Sequence, residues 1–292
     1  MLADNRDQLV GVGVQGTVVS PECPPLPASP YQIASDGTPY LLPTPGGIVY
    51  NVRVGDSAFG WLADMVQPGV SIRNPQEPAN NALNTLSCLG DVARVVSGAA
   101  LGAKGTVVGK SGRFAEHVVV HFGTDAIEKM ALEDRVLIRA LGRSLKLKSQ
   151  PKIQLKSISP LLLDALDLKD LGDGRVSVPV RATVPAHLTG AGAGLGSEGG
   201  CVQIQSEDGD ALKENGLEVL RLGDVVAIRD YDCRWGNGFL HGAVTIGVVV
   251  HGDSPRSGFG PGVTPLLAGV DGAIEPVLVD SRNIAELLTL AR

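Results

Sequence analysis

A chain of 292 residues, 43% apolar, is long enough for two domains with real cores, and 19% charged residues are too few for a disordered chain. A formal charge of −6 with an aromatic share of 4% disfavours nucleic acid as a partner. No apolar run reaches the roughly 18 residues of a membrane span, and the acidic start MLADNRDQLV is no secretory signal.

In chain order, β-branched runs bounded by Gly, Pro, Asp or Asn predict strands at 9–20, 47–54, 91–97, 105–109, 117–122, 135–140, 175–184, 201–205, 224–230 and 243–251. Eight prolines between Pro21 and Pro45 remove ladder donors, so that segment is loop or sheet edge. Helices are few. NNALNTLSCLG at 80–90 reads as a short one. SPLLLDALDLKDLG at 159–172 has a Ser start and a Gly stop, and the C-terminal SRNIAELLTLAR has Ser281 as its N-cap. The expected fold is mainly β, a β-rich α+β chain whose two domains are small barrel-like or sandwich sheets. The first spans 1–150, with a small-barrel hairpin near 90–122; the second, 151–292, carries the candidate site. Cys23, Cys88, Cys201 and Cys233 contain no C-x-x-C pair, which fits a reducing, cytoplasmic location.

Three stretches echo one another: GDVARVV at 90–96, EDRVLIR at 133–139 and GDVVAIR at 223–229. In each, an Asp (Asp91, Asp134, Asp224) precedes alternating apolar positions, where its carboxylate can accept backbone N–H bonds of the turn. A further stretch, VARVVSGAALGAKGTVVGKSG, resembles a motif of ribosome-associated small barrels; the resemblance implies an RNA-facing role for Lys104, Lys110 and Arg113, against the acidic balance of the chain.

The chemistry-bearing candidates concentrate in RDYDCRWGNGFLHGAVTIGVVVHGD, residues 229–253. Strands at 224–229 and 243–250 form a hairpin whose connection carries Asp230, Asp232 and His241. Aspartates at i and i+2 of an extended chain share a face; with an imidazole they can hold a divalent ion such as Zn, Mn or Mg, or supply a general acid or base. Arg234 and Asn237 lie in the same connection, with neutralisation of Asp232 by Arg234 as the alternative. His251, about 33 Å from His241 along an extended strand, belongs to a second cluster with Asp253, Ser254 and Arg256, an anion-binding turn or a structural histidine. The glycine loop VPAHLTGAGAGLGSEGG places His187, Gly192 and Gly194 around a small ligand. Its formal G-x-G-x-x-G is followed by a strand-like CVQIQSED, so no nucleotide cofactor is expected.

Through GVSIRNPQEPANNALNTLSCLGD, GAKGTVVGKSG, VPAHLTGAGAGLG, the 223–254 segment and GFGPGV, nearly the whole chain resembles a prokaryotic two-domain family catalogued as a domain of unknown function. Against that pattern Met65 and Phe259 stand where histidine is expected, which implies lost metal ligands. The 223–250 region also resembles part of the acetamidase/formamidase family, β-rich hydrolases of small amides. The expected function is an enzyme acting on a small polar molecule by metal-assisted hydrolysis or lyase chemistry. Asp230, Asp232 and His241 would be its catalytic and metal residues, and His187, Gly192, Gly194, Arg234, Asn237 and His251 would contact substrate. The alternative is a non-catalytic, homo-oligomeric protein that binds a small molecule.

Overall fold

The computed structural model describes residues 2–21, 29–43, 45–111 and 116–291. In its first half, strands β1 (Val12–Val18), β2 (Gln32–Ile33), β3 (Pro39–Tyr40) and β4 (Val70–Arg73) precede helix α1 (Glu77–Leu86). Strands β5 (Val92–Val95), β6 (Lys104–Ser111) and β7 (His117–Phe122), helix α2 (Thr124–Ile127) and strand β8 (Arg135–Ala140) follow. Next come β9 (Ile153–Leu155), α3 (Pro160–Ala165), β10 (Lys169–Gly172), β11 (Arg175–Val180), β12 (Ala182–Val184), β13 (Val202–Gln203) and α4 (Gly209–Glu214). The chain ends with β14 (Val225–Asp232), β15 (Gly238–His251), β16 (Gly262–Gly269), β17 (Ile274–Leu278) and α5 (Ile284–Leu287). The fold is therefore β-rich with few, short helices, and no helix among the described residues is long and apolar enough to cross a membrane.

Six antiparallel strands close a barrel in the order β1-β4-β7-β6-β5-β8, with β8 returning to β1. Strict alternation along β5 and β8 turns Ala93, Val95, Val136 and Ile138 inward, where they meet Val70, Ile72, Val118 and Val120. The second sheet runs β12-β14-β15-β16-β13, with β9 paired to β16. It is covered on both faces. Val225 and Ala227 of β14 enter the core shared with the barrel, while Val226 and Ile228 enter the core behind. A strand buried twice reads as a continuous apolar run, as VVAI and TIGVVV do.

One bulge couples barrel and sheet. In β6, Val107 pairs with Val120 and Gly109 with Val119, which leaves Val108 as an extra residue. Val107 packs in the barrel core and Val108 in the shared core. Gly109 lies against β15 so closely that a Cβ there would stand 1.8 Å from Val250 Cγ2. The next residue is tied to β16: Lys110 N–H donates to Thr264 Oγ1 (3.1 Å), whose hydroxyl donates to the Lys110 carbonyl (2.8 Å).

The three echoing aspartates do the same job. The carboxylates of Asp91, Asp134 and Asp224 each accept the N–H of the residue three positions earlier: Cys88 (2.7 Å), Ala131 (2.9 Å) and Arg221 (2.8 Å). All three are buried at the start of β5, β8 and β14.

Other expectations are corrected. Residues 47–54 form no strand; Ile48 makes a single bridge to Val70. Ser159 does cap α3, accepting from Leu162 N–H (3.2 Å), but the helix ends at Ala165. Asp167 then takes a positive φ (50°) and the chain turns into β10. The N-cap of α5 is Asn283, which accepts from Ala285 N–H (2.9 Å), while Ser281 Oγ donates to Glu286. Of the proline-rich segment, residues 22–28 and 44 lie outside the described residues; β2 and β3 make a small hairpin within the rest.

Candidate functional site: a buried cation cluster closed by Glu198

The expected acidic triad does not converge. The β14–β15 hairpin continues past Arg229, with Tyr231 opposite Phe239 and Asp232 opposite Gly238, and the register shifts at Asp230, which faces the four residues 240–243 of β15. At φ 52° Asp230 leaves the extended conformation on which the shared-face reading of Asp230 and Asp232 depended. Its carboxylate accepts Gly242 N–H (2.7 Å) and meets His241 Nδ1 (3.2 Å), with the His241 side chain 90% exposed. Asp232 turns instead to Arg234, accepting its N–H (2.9 Å) and its guanidinium through both oxygens (3.0–3.1 Å). Burial alone would raise the Asp232 carboxyl; the Arg234 contacts outweigh it and hold it below the usual range. Asp230, Asp232 and His241 thus do not fit one metal ion, and no group of three His, Cys, Asp or Glu among the described residues does.

The glycine loop grips the hairpin. Asn237 donates its N–H to the Leu195 carbonyl (2.8 Å) and its amide to the Gly192 carbonyl (3.3 Å), and accepts Gly194 N–H (2.6 Å). The His187 side chain is exposed, and its carbonyl accepts from Gln205. His251 is a core residue: Nδ1 meets the Gly252 carbonyl (2.9 Å), Nε2 meets Cys201 Sγ (3.5 Å), and a Cβ on Gly262 would lie 2.1 Å from Nε2. Burial lowers its pKa to about 4. In the expected anion-binding turn, Asp64 already occupies the place: it accepts from Ser254 Oγ (2.7 Å) and Tyr40 OH (2.9 Å) and lies 3.8 Å from Arg256 Nε. Met65 has φ 55° and its sulfur accepts from Gln203 Nε2 (3.4 Å); Phe259 lies beneath the Arg256 guanidinium (4.2 Å).

The convergence of charge lies elsewhere, where loop, barrel and sheet meet. Glu198, at the end of the glycine loop, is held by three cations. Its two carboxylate oxygens take Lys156 Nζ and Arg143 Nη1 separately, and its main-chain carbonyl accepts Lys110 Nζ (2.8 Å). Lys156 also donates to the Arg234 carbonyl (2.6 Å) and lies 5.9 Å from the exposed Trp235 ring. The Arg143 guanidinium donates to the Thr85 carbonyl in the last turn of α1 (Nε, 3.1 Å), where a cation suits the helix dipole. The cluster has a dry and a wet side: Lys110 and Lys156 are 0% and 1% exposed, the Glu198 and Arg143 side chains 37% and 28%.

Burial lowers the Lys110 amine to about 8 and raises the nearby Asp91 carboxyl to about 7 and the Cys88 thiol to about 11. Burial would also raise Glu198, yet the Lys156 and Arg143 contacts hold it below its usual range. The neighbours in sequence of two members, Ser157 and Ser197, are buried with hydroxyls that find no partner among the described residues. The RNA-facing role expected of Lys110 is corrected, because the residue is fully buried; Arg113 lies outside the described residues. The signal available in the sequence was a lone lysine in each of two apolar β runs, TVVGKS and IQLKS.

Residues 31–164 match the family model "Domain of unknown function (DUF4438), N-terminal", and residues 165–288 match "Domain of unknown function (DUF4438), C-terminal". A solved structure, "Crystal structure of TM1086", is similar at 39% identity and TM-score 0.91 over 98% of both chains. No curated protein matches. Matched through both of its halves, the chain belongs to the DUF4438 family.

Proposed function

We propose that this protein binds a small anionic molecule at the Lys110–Lys156–Arg143 cluster. The observation that carries the reading is the concentration of three cations on one residue, Glu198, whose carboxylate reaches them from the solvent side. Only one carboxylate is in contact with the two ammonium groups and the guanidinium; Asp91 and Asp232 act on Lys110 and Lys156 from further away, and charge out of water without a contacting partner is costly. A carboxylate or phosphate arriving from solvent completes that balance, and a guanidinium matches either group with paired donors. A thermal-shift screen with acetate, succinate, glutarate and phosphate tests this. Saturation at 100 times Kd raises unfolding free energy by about 2.7 kcal/mol, and Lys156→Met abolishes the response. A flat profile with every anion overturns the reading.

A catalytic version, hydrolysis or lyase chemistry on a small polar substrate, is a second proposal. It is favoured by the Lys110 amine, which is buried at the cluster and has a pKa near 8, suited to proton transfer near neutrality. Turnover abolished in Lys110→Met, at anion concentrations that still saturate the weakened site through Lys156 and Arg143, is the expected result.

A further inference from the structure

We infer that Glu198 is an internal mimic of the ligand, and that the site takes five-carbon α,ω-diacids and their monoamides. The inference rests on the anion-binding reading and adds a ligand class to it. Glu198 presents two oxygen-bearing groups to the cluster, not one. Its side-chain carboxylate bridges Lys156 and Arg143, while its main-chain carbonyl receives Lys110 (2.8 Å). Three carbons, Cγ, Cβ and Cα, separate these groups. A glutaryl skeleton has the same two polar ends at the same spacing and can satisfy the same three donors. A second carboxylate in place of the neutral peptide carbonyl would give Lys110 a charged partner, a stronger hydrogen bond than the one it has.

The loop is built so that this residue can yield its place. Residues 192–196 are fixed to the hairpin through Asn237 and a bridge from Gly196 to Gly236, and Glu198 follows that anchor between buried Ser197 and Gly199, with its side chain as the part that reaches solvent. Its side chain stands on the solvent side of the cluster, in front of the two buried lysines. A diacid entering from solvent displaces the Glu198 side chain from Lys156 and Arg143, its second carboxylate takes Lys110 as the Glu198 main-chain carbonyl shifts aside, and the lysines stay where they are. Binding is therefore a competition between an internal and an external carboxylate.

Isothermal titration of acetate, succinate, glutarate, glutaramate and adipate into the full chain and into Glu198→Gln tests this. The inference predicts an affinity optimum at the five-carbon acids, at least ten-fold over acetate, and a further gain of about ten-fold in the variant, whose internal competitor has lost its charge. If acetate and the diacids bind equally, the mimic is refuted and the anion site survives. If no acid binds, the anion site itself fails. Should Glu198→Gln not fold, the chain-length series on the wild type decides.

Discussion

A lysine enclosed by protein gives up the hydration of its ammonium, and Lys110 and Lys156 both do so within one cluster. Lys156 recovers part of that cost through Glu198 and the Arg234 carbonyl. Lys156→Met keeps the volume and removes the charge. Because Glu198 can turn to solvent and keeps Arg143, the expected loss in urea unfolding is small, about 1–2 kcal/mol; anion binding is lost with it. The turn aspartates carry more local weight. Asp134→Ala leaves the Ala131 N–H without its acceptor and costs about 1–3 kcal/mol, whereas Asp134→Asn keeps one acceptor oxygen and costs less. Equal losses in the two variants by chemical denaturation would contradict that role.

His251 gives a pH-dependent prediction at the same scale. Burial depresses its pKa from an ordinary 6.5 to about 4, so the native state holds the neutral ring while the unfolded chain takes up a proton. Its stabilisation is complete above pH 6.5 and is lost as pH falls towards 4, by up to about 3 kcal/mol. The difference in unfolding free energy between wild type and His251→Gln therefore shrinks on acidification across that window. A difference independent of pH contradicts the assignment.

At the level of elements, what could be read from sequence depended on whether a local pattern decided the outcome. The alternation in RVLIRA and the apolar run HVVVHF gave β8 and β7 their observed limits, and the Asp turn before β5, β8 and β14 had the chemistry expected of it. β16 went unread because GVTPLLAG carries a proline and two glycines, and its pairing to β15 absorbs them through register shifts. Asp230 misled because a positive φ inside a strand leaves no periodic mark, and one register shift separates two carboxylates that simple alternation puts together. The β6–β15 contact supplies a prediction at this scale. Gly109→Ala forces a methyl into Val250, and overpacking of this kind costs about 1–3 kcal/mol. The loss appears in the thermal midpoint, and Val250→Ala on the same background restores part of it. No rescue would mean that the two strands are not in the contact described.

Across the whole molecule, the cluster joins residue 110 of the barrel, 143 just beyond it, 156 beside β9 and 198 of the glycine loop. None of these is within ten residues of another, so no spacing motif could announce them. The glycine loop attracted attention for its backbone, yet its contribution is a side chain, Glu198, brought to the cations by the grip of Asn237 on the preceding turn. The closed barrel and the twice-covered sheet hold the lysines in place, and the loop supplies the group that can leave.

The account stands or falls on whether the two buried ammonium groups meet an anion from solution. Protein labelled with 15N-lysine, its Lys110 and Lys156 Nζ resonances assigned by loss in Lys110→Met and Lys156→Met, can be titrated with glutarate and followed by NMR. Both resonances should shift and saturate together while those of exposed lysines such as Lys104 stay in place. Unmoved Lys110 and Lys156 signals at saturating glutarate, acetate and phosphate would show that Glu198 is a permanent structural plug and that the cluster serves only the fold.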